Sequence, residues 1–201
     1  MLGLPKSTEV NKQLPKKAIY QKFQMNTAAK EEIDKDISRI TIVNEISSSK
    51  LNVSEGESVK SFFCILVALK NKEFDDKNII TISKLIPQNM VMILKHENQA
   101  KLAIYRNNLF QTEWDDIDTY KLNIEGLNLD KVWENIVVQI GELQVENGNT
   151  LDEQIAIDEK KSKIIKNIAK LEKKAKSEKQ PRKKYNLFNQ IKKLKRELEK
   201  I

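Results

Sequence analysis

Residues 62–69 read FFCILVAL, eight apolar side chains in succession with no polar position among them. A strand with one wet face would alternate, so this run predicts a central strand covered on both faces. A short buried helix is the alternative, and Phe, Ile and Val favour the strand. On the N-terminal side, Ile40, Ile42 and Ile46 alternate with polar residues over 37–47, the pattern of a half-buried strand. Ser47, Ser48, Ser49 and Lys50 read as a turn, with a short strand around Leu51 to Val53 and a loop at Glu55 to Glu57. Earlier still, Pro15 suits the first turn of a helix Lys16 to Gln24. Thr27 reads as the N-cap of a second helix, Ala28 to Asp36, and the stretch through Pro5 reads as extended.

On the C-terminal side, a helix is expected from near Asp76 to just before Pro87, because the residue preceding a proline avoids helical geometry. Met90 to Leu94 and Lys101 to Arg106 form a hairpin about a polar turn at Glu97 to Gln99; Leu109 to Trp114 continues it, and Tyr120 to Ile124 adds one more strand. Leu129, Val132, Trp133, Ile136, Val137 and Ile140 share one helical face, capped by Asn128 and closed by Gly141. Trp133 therefore belongs to the core, while Trp114 suits a core edge or an interface anchor. This order of elements predicts an α+β domain over 1–149, a mainly antiparallel sheet with flanking helices.

Residues 150–201 have a different character. Thr150 and Glu153 make a capping box. Ile157, Ile164, Ile168, Leu171 and Ala175 then share a stripe interrupted by Lys161. Pro181 opens a second helix carrying Leu187, Ile191, Leu194, Leu198 and Ile201. Steps of four and three are a coiled-coil seam, so the pair is expected to fold back as an antiparallel helical hairpin with helices of about 20 residues. Homo-oligomerisation through that seam is one expectation.

Charge separates the two parts. The chain of 201 residues carries +7 net; residues 151–201 contribute 17 basic and 8 acidic side chains, +9, which leaves −2 for residues 1–150. The stretch 170–184, KLEKKAKSEKQPRKK, holds eight basic and two acidic positions. Candidate phosphate-binding residues are Lys170, Lys173, Lys174, Lys176, Lys179, Arg182, Lys183 and Lys184, with Lys192, Lys193, Lys195 and Arg196 on the returning helix. A merely solvated coiled-coil face, or a protein partner with an acidic groove, would use the same residues. Tyr185 and Phe188 are the only aromatics there and Phe188 has the option of packing inward, so sequence-specific reading of single strands is not expected.

Motifs for chemistry are sparse. No Walker-type glycine loop is present, and one cysteine, Cys64, with one histidine, His96, does not make a zinc site. Cys64 reads as inert in a strand core and His96 as a surface residue of the hairpin turn. The closest set for a metal-dependent nuclease is Glu45, Asp75 and Asp76 with Lys77, although Asp75 or Asp76 also suits a helix cap. No catalytic residue and no cofactor is assigned. The longest apolar run is far short of a membrane span and Met1 to Leu14 lacks a signal-peptide core, so a cytoplasmic protein is expected.

The segments LPKSTEVNKQLPKK, IPQNMVMILKHENQAKLAIY, LDKVWENIVVQIG and GNTLDEQIAIDEK, together with the basic bend KKAKSEKQPRKK, resemble a bacterial domain-of-unknown-function family, DUF4391. The resemblance covers nearly the whole chain. It implies a setting beside helicase and DNA methyltransferase genes of restriction-like defence loci, hence an accessory role around DNA, and it supplies no catalytic residues to carry over. The expected function is a non-catalytic accessory subunit of such a system, with the basic hairpin on duplex DNA and the α+β domain on a helicase or methyltransferase-like protein. A metal-dependent nuclease, or a structural coiled-coil protein, is the alternative.

Overall fold

The structure, a computed structural model, describes residues 2–201. The chain divides into two compact units, Met1–Leu143 and Gln144–Ile201. The first unit comprises β1 (Glu9–Leu14), α1 (Lys16–Lys22), α2 (Thr27–Asp36), β2 (Ile37–Ser47), the single turn α3 (Ser48–Leu51) and β3 (Ser61–Leu69). It continues with α4 (Asp76–Leu85), β4 (Met90–His96), β5 (Gln99–Arg106), β6 (Asn108–Gln111), the two-residue β7 (Asp115–Asp116) and α5 (Leu129–Gly141).

The apolar run is β3, at the centre of a sheet ordered β1-β2-β3-β4-β5-β6, with β7 also pairing β5. On one face Ile65, Val67 and Leu69 join Ile37, Ile40, Met90, Met92 and Leu94 beneath Ile19 and Tyr20 of α1, Ile33 of α2, and Ile79 and Ile82 of α4. On the other face Phe62 packs against Trp133 of α5, ring centroids 5.2 Å apart. Helices thus cover the sheet on both sides, which is why β3 and β4 tolerate no alternation. Trp114 sits at the core edge, half-buried and edge-on to Phe74 at 6.5 Å.

The sheet is mixed, where a mainly antiparallel one was expected. Most neighbours run antiparallel, but β3 and β4 are parallel, with Phe63 opposite Met90 and Ala68 opposite Lys95. The cause is α4, which carries the chain back along the sheet so that β4 starts from the same end as β3.

Asn26, not Thr27, caps α2; its side-chain oxygen accepts from the Ala29 N–H at 2.8 Å. The serine turn is one helical turn, α3, and Leu51 to Val53 forms no strand because Asn52 enters the left-handed region at φ 56° and turns the chain away. Tyr120 to Ile124 is no strand either: its backbone donors go to the Leu2 carbonyl, 3.1 Å from Leu122 N, and to Gln139 Oε1, 2.8 Å from Asn123 N. The opening stretch contains β1, a mostly exposed edge strand whose polar EVNKQL gives no alternation to read. At the end of α5 the left-handed cap is Glu142, φ 49°, not Gly141; a Cβ on Gly141 would lie 2.9 Å from Leu143 Cγ.

Two carboxylates lock elements together. Asp36, buried at the end of α2, accepts from Asp75 N and from Asn78 Nδ2, both at 2.8 Å, and so ties α2 to the start of α4. Asp130, in the first turn of α5, accepts from the backbone N–H groups of Glu57 and Val59, each at 2.7 Å, and of Ser58 at 3.2 Å. These donors, led by Val59, hold the Asp130 carboxyl below the ordinary carboxylate range. The loop wraps so closely that a Cβ on Gly56 would lie 2.4 Å from Asp130 Oδ1.

Because Asp130 is ionised more readily folded than unfolded, its contribution is complete above the ordinary carboxylate pKa and is lost as pH falls through the depressed folded value. In urea melts at a series of pH values, Asp130→Asn should lower the midpoint near neutrality and narrow the gap to wild type in acid, and Gly56→Ala should destabilise at every pH. Burial pushes the Cys64 thiol up to about 12. It should therefore resist a thiol-reactive dye in the native protein and react promptly in denaturant; fast labelling of the native protein would contradict the assigned β3 packing.

Candidate nucleic-acid interface

The second unit consists of α6 (Leu151–Ser177) and α7 (Pro181–Leu198). At 27 residues α6 exceeds the expected 20 and is about 40 Å long. Its start is the expected capping box: Thr150 Oγ1 accepts from Glu153 N at 3.3 Å, and Glu153 Oε2 accepts from Thr150 N at 2.8 Å. That backbone donor, with the Thr150 hydroxyl, draws the Glu153 carboxyl below its ordinary range. Pro181 opens α7 at its first position, where the missing N–H costs nothing.

The antiparallel seam is Ile164, Ile168, Ala175 and Ile191, with Leu171, Leu187, Leu194, Leu198 and Ile201 half-buried against them. Ala175, small as it is, is closely packed in the seam, being 1% exposed. Lys161, which interrupts the stripe, directs its ammonium to Glu146 at 4.0 Å. Two ion pairs cross the hairpin, Lys195–Glu172 at 3.0 Å and Lys160–Glu197 at 3.9 Å. Exposed pairs of this kind contribute little, so the seam holds the hairpin.

All twelve candidate cations are exposed. Lys170, Lys173, Lys174 and Lys176 occupy the last turns of α6, Lys179 the bend, and Arg182, Lys183 and Lys184 the first turn of α7; Lys192, Lys193, Lys195 and Arg196 lie further along. Lys195 has the acidic partner just named. Among the described residues, the other eleven have none within 4.0 Å. The bend brings Lys174 and Lys183, from opposite helices, to one recess with Ser177, Glu178, Asn186, Leu187 and Gln190. Lys192, Lys193, Arg196 and Lys200 line a second recess with Asn189 and Glu197. The other seven candidates, Lys170, Lys173, Lys176, Lys179, Arg182, Lys184 and Lys195, line neither recess.

The first turn of α7 carries no acid, only Arg182, Lys183 and Lys184. Cations at a helix N-terminus oppose the dipole, at a cost of about 0.3–1 kcal/mol each. Acids placed there would have served solubility while stabilising the helix.

Tyr185 and Phe188 are 67% and 52% exposed. Phe188 does not pack inward. The signal was present in the spacing: with Leu187 on the seam, the next residue stands about 100° round the helix.

The nuclease set does not assemble. Glu45 on β2 pairs with Phe63 near the start of β3 and binds Lys50 at 2.8 Å. Asp75 and Asp76 follow the end of β3, roughly 20 Å further along the strand direction. Asp75 caps α4 by accepting from Lys77 N at 2.9 Å, and Asp76 accepts from Gln111 Nε2 at 2.8 Å. Among the described residues no cluster of three or more His, Cys, Asp or Glu is arranged to hold a metal ion. His96 lies at the end of β4, half-buried. No helix among the described residues is long and apolar enough to cross a membrane.

A family model described as a domain of unknown function, DUF4391, matches residues 2–198. The chain belongs to this family. The match runs through both units, so the helical hairpin is part of what defines DUF4391 in this chain. Neither curated proteins nor solved structures give this DUF4391 chain a match.

The capping box sets the start of α6, so Thr150→Ala should cost about 1 kcal/mol of stability in the second unit. Helical circular dichroism followed through a thermal melt checks it; a loss below a few tenths would leave the cap without effect.

Proposed function

We propose that this chain is a non-catalytic accessory protein of a DNA-associated system, and that its helical hairpin contacts the phosphates of duplex DNA. One observation carries the reading: eleven exposed cations without acidic partners, three of them at the helix end where positive charge costs most. A polyanion supplies the missing counter-charge, and displacing its condensed counterions provides the driving force. Phosphates are read without regard to sequence, since few side chains on the hairpin suit base edges. The companion part of the proposal, a helicase or methyltransferase-like protein as partner of the α+β unit, rests on what the family resemblance implies.

If four to six cations reach phosphates, log affinity for duplex DNA should fall against log salt with a slope of about −4 to −5. Replacing Lys173, Lys174, Lys183 and Lys184 with Gln should weaken binding, flatten the slope and leave the melting temperature nearly unchanged, because the dipole cost removed with Lys183 and Lys184 at the start of α7 offsets the benefit lost with Lys173 and Lys174 at the end of α6. Fluorescence anisotropy across a salt series measures all three effects when paired with a melt. Binding that ignores both salt and the substitutions would overturn the reading and leave the hairpin as a solvated coiled coil.

A further inference from the structure

We propose that the solvent face of α7 is a stacking platform for unpaired nucleotides, so that the hairpin prefers DNA carrying a single-stranded tail over a blunt duplex. This rests on the DNA-contact reading above and names the form of DNA that the same surface selects.

Tyr185, Phe188, Asn189, Lys192 and Arg196 fall at offsets 0, 3, 4, 7 and 11, which places them on one face of the helix. The seam residues Leu187, Ile191, Leu194 and Leu198 lie on the other side, so this face is turned to solvent and its members are exposed. Along the helix the aromatic pair stands between two basic groups, Arg182 to Lys184 before it and Lys192 to Arg196 after it. Only Lys195 among these cations has an acidic partner, Glu172.

The composition of the face selects its occupant. An amphipathic partner helix would need the apolar stripe to continue at i+4 and i+7. Here those positions are Asn189 and Lys192, and the next turn brings Arg196. A membrane surface would likewise need a broader apolar face. Two ring faces flanked by unpaired cations match a chain that offers π-faces and phosphates together, and that is a single-stranded nucleic acid. Bases inside a duplex are already stacked on one another, so only unpaired ones can use the rings. The preference is sequence-tolerant, since every base has a π-face.

The full chain is titrated by anisotropy against a blunt duplex and against the same duplex with a thymidine tail of ~10 nucleotides. The tailed DNA should bind about tenfold tighter, as expected for one stacked base. The double substitution Tyr185→Ala with Phe188→Ala should abolish that advantage while leaving blunt-duplex affinity and the melting temperature unchanged, and Tyr185→Phe should retain it. Equal affinity for the two DNAs, or a preference that survives the double substitution, overturns this inference alone. Failure to bind either DNA overturns the phosphate-contact reading and this inference with it. Binding of acidic peptide or anionic vesicles that the double substitution abolishes, without any preference for the tail, would assign the face to that other partner.

Discussion

Everything in the first unit follows from a strand whose residues from Phe62 to Leu69 have no polar side chain to turn outward. With both faces of β3 apolar, water must be excluded above and below it, and the α+β unit is the arrangement that does so: α1, α2 and α4 on one face, α5 on the other. Burying a large aliphatic or aromatic side chain is worth about 1.5–3 kcal/mol, so a strand of this kind anchors what surrounds it. The crossover through α4 serves the same end, since a helix joining two neighbouring parallel strands must lie across one of the faces that need cover. The carboxylates complete the arrangement by fixing helix ends to loops, Asp36 for α2 and α4, Asp130 for α5 and the 57–59 segment.

Where apolar periodicity was strong, the sequence was legible. β2, β3, α4, α5 and the two helices of the hairpin stand where their patterns put them, and the Thr150–Glu153 capping box forms as its spacing requires. Legibility failed where backbone geometry or distant partners decide. β1 is a polar edge strand held by ladder hydrogen bonds to β2, which leave no mark on side-chain patterning. Tyr120 to Ile124 has the composition of a strand but spends its donors on Leu2 and Gln139. The parallel pairing of β3 with β4 was implied by strand, helix, strand in succession, yet nothing in either strand alone states its direction.

The candidate surface was legible in outline. Basic residues and their places along the hairpin could be counted from the chain, and their exposure followed from the seam. The sequence does not display which cations lack acidic partners, because Glu172, Glu197 and Glu146 reach their lysines across the fold of the unit. The position of Phe188, left open between seam and solvent, is decided by its single helical step from Leu187. The carboxylates Glu45, Asp75 and Asp76 are near one another in number and in chemistry, but opposite ends of one strand keep them apart.

The bend between α6 and α7 bears on how the hairpin forms. Only Glu178, Lys179 and Gln180 separate the two helices, so their first contacts are between neighbours in the chain and closure begins there, on the microsecond scale of local structure. It is also where positive charge is densest, with Lys174, Lys176, Lys179, Arg182, Lys183 and Lys184 within eleven residues. The step that nucleates the hairpin must therefore work against mutual repulsion that is strongest at low ionic strength. An anion that bridges the bend relieves this repulsion and favours the closed form by mass action. A polyanionic ligand of the hairpin would then act as a template for its folding.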